Sequence, residues 1–345
     1  MLNNVQADMT KGTKKQPCDY SFYNMRAILI GCVVLGHLLE VCAPFFGYRF
    51  LYQIIYSFHM PVFVFITGYF ARCNIKKILF NWLFPYFIFQ IIFIAIERRM
   101  NNDIPYQLTE PYWHLWFLLA CVFYQLLIPL YKTDSYRRQI FTLICATILA
   151  LVVGFHKNIG YYLTLSRFFV FQPWFLLGYY FSKHPARQQD TVITGRKILR
   201  AGAVVVALCV CLFVIFISKV SSTALYGAFS YEKLPRDLIY RVICMGTAFV
   251  WIVFFVKILR PLINRKIPLI TTLGQNTFSV YILHGFLIKT NIIGLPSLLT
   301  SPIYVVLVTV MILFLFGNSF VGRAFRFLFS ERILKIFSKK ARIGS

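Results

Sequence analysis

The sequence predicts an all-α polytopic membrane protein, a bundle of about ten transmembrane helices, on three observations. Apolar residues make up 59% of the 345, aromatic ones 18% and charged ones only 14%, which is beyond what a soluble domain carries. The apolar runs are long enough to span the roughly 30 Å hydrocarbon core, which takes about 20 residues of helix. The charges gather between these runs and are nearly absent within them.

In order, the expected spans are 24–43, 50–70, 78–96, 113–131, 139–155, 161–182, 199–218, 238–257, 270–289 and 302–321. Each is an apolar, often aromatic-rich run bounded by polar or basic residues. Orientation follows from the loops, because cytoplasmic segments accumulate Lys and Arg. With the N-terminus inside, 25 of the 36 basic residues fall on inner segments and 8 on outer ones, which favours ten helices with both termini cytoplasmic. The inner set runs through Lys11, Lys14 and Lys15, Arg72 to Lys77, Lys132 to Arg138, Lys183 to Arg200, Lys257 to Lys266 and Arg323 to Arg342.

Three regions are expected: a cytoplasmic segment at 1–23, a transmembrane domain at 24–321 and a basic amphipathic tail at 322–345. In the tail, Phe325, Phe327, Leu328, Ile333, Leu334 and Phe337 interleave with basic residues, the pattern of a helix lying on an anionic leaflet. A net charge of +25 does not point to nucleic acid, because it is scattered over short loops rather than gathered on one soluble face. No cleavable signal peptide is evident, since the first apolar run follows about two dozen polar residues and is long enough to remain as a span. The nine cysteines are dispersed, forming neither a disulfide framework nor a metal knuckle, and no metal is expected. No repeat or soluble domain is visible, so the chemistry is expected within the bilayer.

Charge inside lipid is expensive and usually marks function. Arg26, His37 and Glu40 all lie in the first span. At about 100° per residue, eleven steps return Arg26 and His37 to nearly the same helix face, with Glu40 one turn beyond.

These residues carry a resemblance. The run from Met25-Arg26 through Gly36-His37 resembles the first helix of the acyltransferase 3 family, with its Arg, ten residues and His. Ile55-Tyr56-Ser57-Phe58-His59-Met60-Pro61-Val62-Phe63, followed by Thr67-Gly68-Tyr69-Phe70, is similar to the second helix of that family's fucose 4-O-acetylase-like branch. So are His114-Leu115-Trp116-Phe117 on the fourth helix, Arg167 through Pro173 and Gly178-Tyr179 on the sixth, and Leu273-Gly274-Gln275-Asn276-Thr277 through His284 on the ninth. The resemblance implies transfer of an acyl group, usually acetyl from cytoplasmic acetyl-CoA, to a hydroxyl of a cell-surface polysaccharide or its sugar precursor. It implies a bacterial plasma-membrane enzyme whose partners are the lipid bilayer, acyl-CoA, a carbohydrate or glycolipid acceptor and glycan-assembly proteins. Some relatives carry an extracytoplasmic domain; none is visible here, so completion of the reaction is expected from the membrane core or a separate partner.

Acyl transfer from a thioester to a hydroxyl needs a base for the hydroxyl proton and donors for the developing oxyanion. His37 is the candidate base, with Glu40 able to orient it or to pair with Arg167. Arg26 lies about 16 Å away along the helix, where a guanidinium suits a CoA phosphate or pantetheine. His59, just before the kink-permitting Met60-Pro61, is a second catalytic candidate or an interhelical hydrogen-bonding group. Arg167 is expected to face a polar cavity, neutralising the thioester oxyanion or binding acceptor. His114, Trp116 and His284 would meet a sugar, although aromatic residues also belong at the membrane interface. Gly274 to Thr277 would either meet a CoA phosphate at a helix start or simply cap it. The site is expected between the first, second and sixth helices, with CoA entering past Arg26 and acceptor approaching from the other side. The rival function is a proton-coupled transporter or flippase, which would need the same intramembrane groups.

Overall fold

The computed structural model describes residues 19–42, 47–100, 107–184, 195–289 and 301–330, and every regular element among them is helical. The expectations for Lys11, Lys14, Lys15 and most of the tail, from residue 331 on, lie outside the described residues. The helices are α1 (Ser21–Leu39), α2 (Tyr48–Tyr69), α3 (Ile75–Arg99), α4 (Trp116–Leu126), α5 (Tyr136–Val152), α6 (Leu165–Ser182) and α7 (Gly195–Ile217). They continue with the short α8 (Ser222–Tyr226), then α9 (Arg236–Leu262), α10 (Pro268–Gln275), α11 (Thr277–Lys289), α12 (Pro302–Gly317) and α13 (Ser319–Leu328).

Among the described residues, six helices are long and apolar enough to cross a membrane, and the bent pair α12–α13 adds a seventh if it is one span. The expected spans at 113–131, 161–182 and 270–289 are matched by helices that are shorter or more polar. α4 starts from a 3-10 turn at Trp113–Leu115, α6 carries Arg167 and Gln172, and Asn276 divides α10 from α11. These are the helices that bring polar groups inside, which is why hydropathy alone under-reports them.

α1 lies at the centre. Met25, Leu29, Ile30, Val34, Leu38 and Leu39 are all fully buried while Ile28 is exposed, as in a helix with neighbours around most of its circumference. The periphery is apolar in the opposite sense: Phe141 and Ile148 on α5, Val206 and Phe213 on α7, and Ile303 and Phe314 on α12 are exposed, suited to lipid contact.

Two local devices set helix paths around the centre. α2 and α6 cross at matched glycines, where a methyl on Gly68 would lie 2.0 Å from the Phe175 carbonyl oxygen and one on Gly178 would lie 2.0 Å from that of Phe65. Small residues let the two backbones touch. Wide π turns interrupt α3 at Leu79–Leu83 and α9 at Phe255–Leu259. Each is followed two residues later by a proline, Pro85 or Pro261, whose missing N–H breaks the regular ladder.

The breaks at Asn276 and Asn318 are tied together. Asn276 donates Nδ2–H to the Gly317 carbonyl at 3.1 Å and accepts from Arg326 of α13 at 2.6 Å. Asn318 caps α13 by accepting from Phe320 and Val321 N–H, both at 3.0 Å. α13 turns 55° away from α12, and its Phe325 packs on Phe89 and Phe278. The described part of the expected tail, to Ser330, falls on α13 and the residues just after it, which carry Arg323 and Arg326.

Candidate active site

Apolar periodicity turns His37 and Glu40 of α1 toward a cavity of about 360 Å³. α2 contributes Tyr56, His59 and Met60, the 3-10 turn and α4 contribute Trp113, His114, Trp116 and Phe117, and α6 contributes Arg167 and Phe171. The far wall comes from Tyr161, from Leu225 and Tyr226 of α8, and from Tyr281 and Lys289 of α11. The expected α1, α2 and α6 are thus joined by α4, α8 and α11.

The histidines have defined hydrogen-bond roles. His284 is fully buried, and its Nδ1 lies 2.9 Å from the Val280 carbonyl one turn earlier. A carbonyl only accepts, so Nδ1 carries the proton and, in the neutral ring, Nε2 is a bare acceptor. That Nε2 lies 2.9 Å from His37 Nδ1, with the two rings nearly parallel at 5.2 Å. His37 must then be protonated on Nδ1, which leaves its Nε2 as a lone pair. Among the described residues that nitrogen has no partner, and the ring lines the cavity. This is the tautomer a general base requires.

Glu40 does not serve His37 among the described contacts. Its Oε2 accepts from Trp113 Nε1–H at 3.2 Å. Its Oε1 accepts from Tyr56 and lies 3.3 Å from the Tyr52 hydroxyl and 3.2 Å from that of Tyr226. Tyr52 and Tyr226 also bond to each other, so one of the two gives its proton to the carboxylate and the other to its neighbour. Neutral donors therefore hold the Glu40 charge, and no Glu40–Arg167 ion pair occurs among the described residues.

Arg167 is 9% exposed. Its Nε–H donates to the Tyr226 carbonyl at 3.3 Å, and its guanidinium carbon lies 5.0 Å from the ring centres of both Trp116 and Tyr161. The segment bearing α8 is pinned over the cavity by this bond, by Gln53 donating to the Val220 carbonyl and by Ser166 donating to that of Gly227, both at 2.9 Å.

His59 donates Nδ1–H to the Ile55 carbonyl of its own helix at 2.7 Å, so its Nε2 is the acceptor end. His114 is buried, 3% exposed, and neither of its ring nitrogens has a hydrogen-bond partner. It fills the space beside Gly285, where a methyl would lie 2.0 Å from its Cε1. No group of three or more His, Cys, Asp or Glu is arranged to hold a metal among the described residues.

The acyltransferase domain of the acyltransferase 3 family matches residues 19–317. The chain belongs to that family. It is 27% identical over 216 residues to the nodulation protein NolL of Sinorhizobium fredii (strain NBRC 101917 / NGR234), covering 56% of each chain. The chain therefore spans little more than half the length of that relative. No solved structure matches.

In this acyltransferase 3 protein the cavity unites His37, Glu40, His59, His114, Trp116 and Arg167. Two expected site residues lie elsewhere. His284 sits behind His37, bonded to its Nδ1, and does not line the cavity. Arg26 is partly buried at the start of α11, donating to the Thr277 hydroxyl. Tyr56, Tyr226, Tyr161 and Lys289 were not among the expected site residues. Tyr52 and Tyr56 did carry a signal, being one helical turn apart and one turn before His59; Tyr226 and Lys289 sit at segment ends that periodicity does not orient.

Proposed function

We propose that this family member is an O-acyltransferase of the fucose 4-O-acetylase-like branch, moving acetyl from acetyl-CoA to a hydroxyl of a cell-surface polysaccharide or its sugar precursor. The observation that carries the reading is the bare Nε2 of His37, held in that tautomer by His284 and facing the cavity. The acceptor hydroxyl gives its proton to this nitrogen as its oxygen attacks the thioester carbonyl. The C–S bond then breaks, and the same proton passes from Nε2 to the CoA sulfur. Among the described residues no serine, threonine or cysteine lines the cavity, which favours the acceptor's own hydroxyl as nucleophile.

His284 is a positioning residue in this scheme. It accepts the Nδ1–H of His37, which becomes more acidic as the imidazolium forms, so the bond strengthens when it is needed. The donor-binding role of Arg26 is supported by its placement beside the N-terminus of α11, where backbone amides and the helix dipole also favour an anion such as a CoA phosphate. The basic loops favour both termini on the cytoplasmic side, and the family resemblance favours a bacterial plasma membrane.

The test uses inverted membrane vesicles carrying wild type or His37→Ala at matched levels, supplied externally with labelled acetyl-CoA. Label should enter glycan or lipid-linked material with wild type and fall by roughly 10²- to 10⁴-fold in the variant, the usual worth of a general base. Undiminished transfer by folded His37→Ala would remove the base assignment. No transfer by either, with endogenous acceptor present, would favour a transporter.

A further inference from the structure

Two cations and one carboxylate line the cavity: Arg167, Lys289 and Glu40. The carboxylate is already held by Tyr56, by Trp113 and by the Tyr52–Tyr226 pair, leaving neither cation an acidic partner among the described residues. A guanidinium has five N–H donors, and Arg167 uses Nε–H on the Tyr226 carbonyl. Its terminal nitrogens have no acceptor among the described residues, yet they are not sealed from the cavity. The rings of Trp116 and Tyr161 offset part of the desolvation cost of the charge but accept no conventional hydrogen bond. Burying a cation with its paired donors unused is costly, and the ligand that completes such a fork is a pair of oxygens sharing a negative charge.

The aromatic residues point the same way. Arg167 lies over Trp116 and Tyr161, and the Lys289 ammonium is 5.1 Å from the Trp113 ring centre. The ring faces that would serve a neutral sugar as stacking surfaces are thus turned to cations.

Building on the acyl-transfer reading, we propose that the acceptor is an anionic sugar whose phosphate or carboxylate is bound by the Arg167 fork, with Lys289 at the rim of the cavity. Binding there holds the sugar so that one hydroxyl reaches His37, and the enzyme selects its acceptor by charge.

Intrinsic tryptophan fluorescence of the purified full chain in nanodiscs, titrated with glucose 1-phosphate, glucuronate and glucose, tests this directly. At least one of the two anions should bind about tenfold or more tightly than glucose. The better anion tells whether a sugar phosphate or a uronic acid is read. Arg167→Gln should abolish the preference, Arg167→Lys should keep part of it, and Arg323→Gln, which removes an exposed charge on α13, should leave it intact. Thermal unfolding of each variant checks that it is folded. Glucose binding as tightly as both anions, or a preference that survives in folded Arg167→Gln, would overturn the proposal. An anion preference without acetyl transfer in vesicles would keep this site and remove the acyl-transfer reading.

Discussion

At the residue scale, the proposed chemistry depends on which nitrogen of His37 carries its proton. His284 makes that choice from 247 residues away in sequence. His284→Leu removes the acceptor for His37 Nδ1–H, so the ring is free to move its proton to Nε2 and lose the base. The expected result is a fall in kcat of roughly 10²- to 10⁴-fold, with KM for acetyl-CoA within about twofold because no donor contact changes. His284→Gln, whose amide oxygen can accept the same proton, should recover part of the loss. Unchanged kcat in folded His284→Leu would show that the relay does not govern His37. His37 and Glu40 were legible because a charged stripe in an apolar run is rare and its period is known. Their partners were not, because bonds between helices depend on the rotation of each helix about its axis. Glu40 shows this most clearly: its spacing suggested a role toward His37, whereas Tyr56, Trp113 and the Tyr52–Tyr226 pair claim it.

At the element scale, the site is shaped where helices depart from regularity. Trp113 at φ 38°, Leu163 at 46° and Thr164 at 57° hold a strained left-handed backbone beside the cavity. Such strain persists only where surrounding contacts over-determine it. Here the Leu163 N–H donates to the Thr109 carbonyl at 2.6 Å, joining the two segments that carry Trp113 and Tyr161. The α2–α6 crossing then fixes His59 and Arg167 relative to each other. Gly68→Ala and Gly178→Ala each push a methyl into backbone and should cost about 1–3 kcal/mol, the usual range for overpacking. Because both substitutions separate the same pair of helices, the double variant should lose less than the sum of the singles. Thermal unfolding in detergent reads this, and strict additivity would mean the two contacts do not report one crossing. The helices themselves and their order were legible from hydropathy. The breaks at Asn276 and Asn318 were not, since each is stabilised by the other's neighbourhood rather than by its own local sequence.

At the scale of the whole molecule, α1 is an axis with different chemistry at its two ends. Its 19 residues extend about 28 Å at 1.5 Å each, close to the thickness of the hydrocarbon core. Arg26 lies toward one end beside the α11 N-terminus, whereas His37 and Glu40 lie toward the other within a cavity closed by the α8 segment. On the proposed acyl-transfer reading, the acyl group at the end of pantetheine would traverse this distance while the adenine nucleotide remained at the Arg26 end. Arg26→Gln should therefore raise KM for acetyl-CoA by about 10- to 100-fold, the loss of a charged hydrogen bond, while leaving the anion preference of the cavity untouched. Sealed vesicles of opposite orientation add the geometric half of the test. Only those exposing the Arg26 end should use external acetyl-CoA, because the nucleotide is too polar to cross. Equal use by both orientations would mean that the donor does not enter along α1. An Arg26→Gln variant that loses anion discrimination together with donor affinity would mean that the two ends form one site.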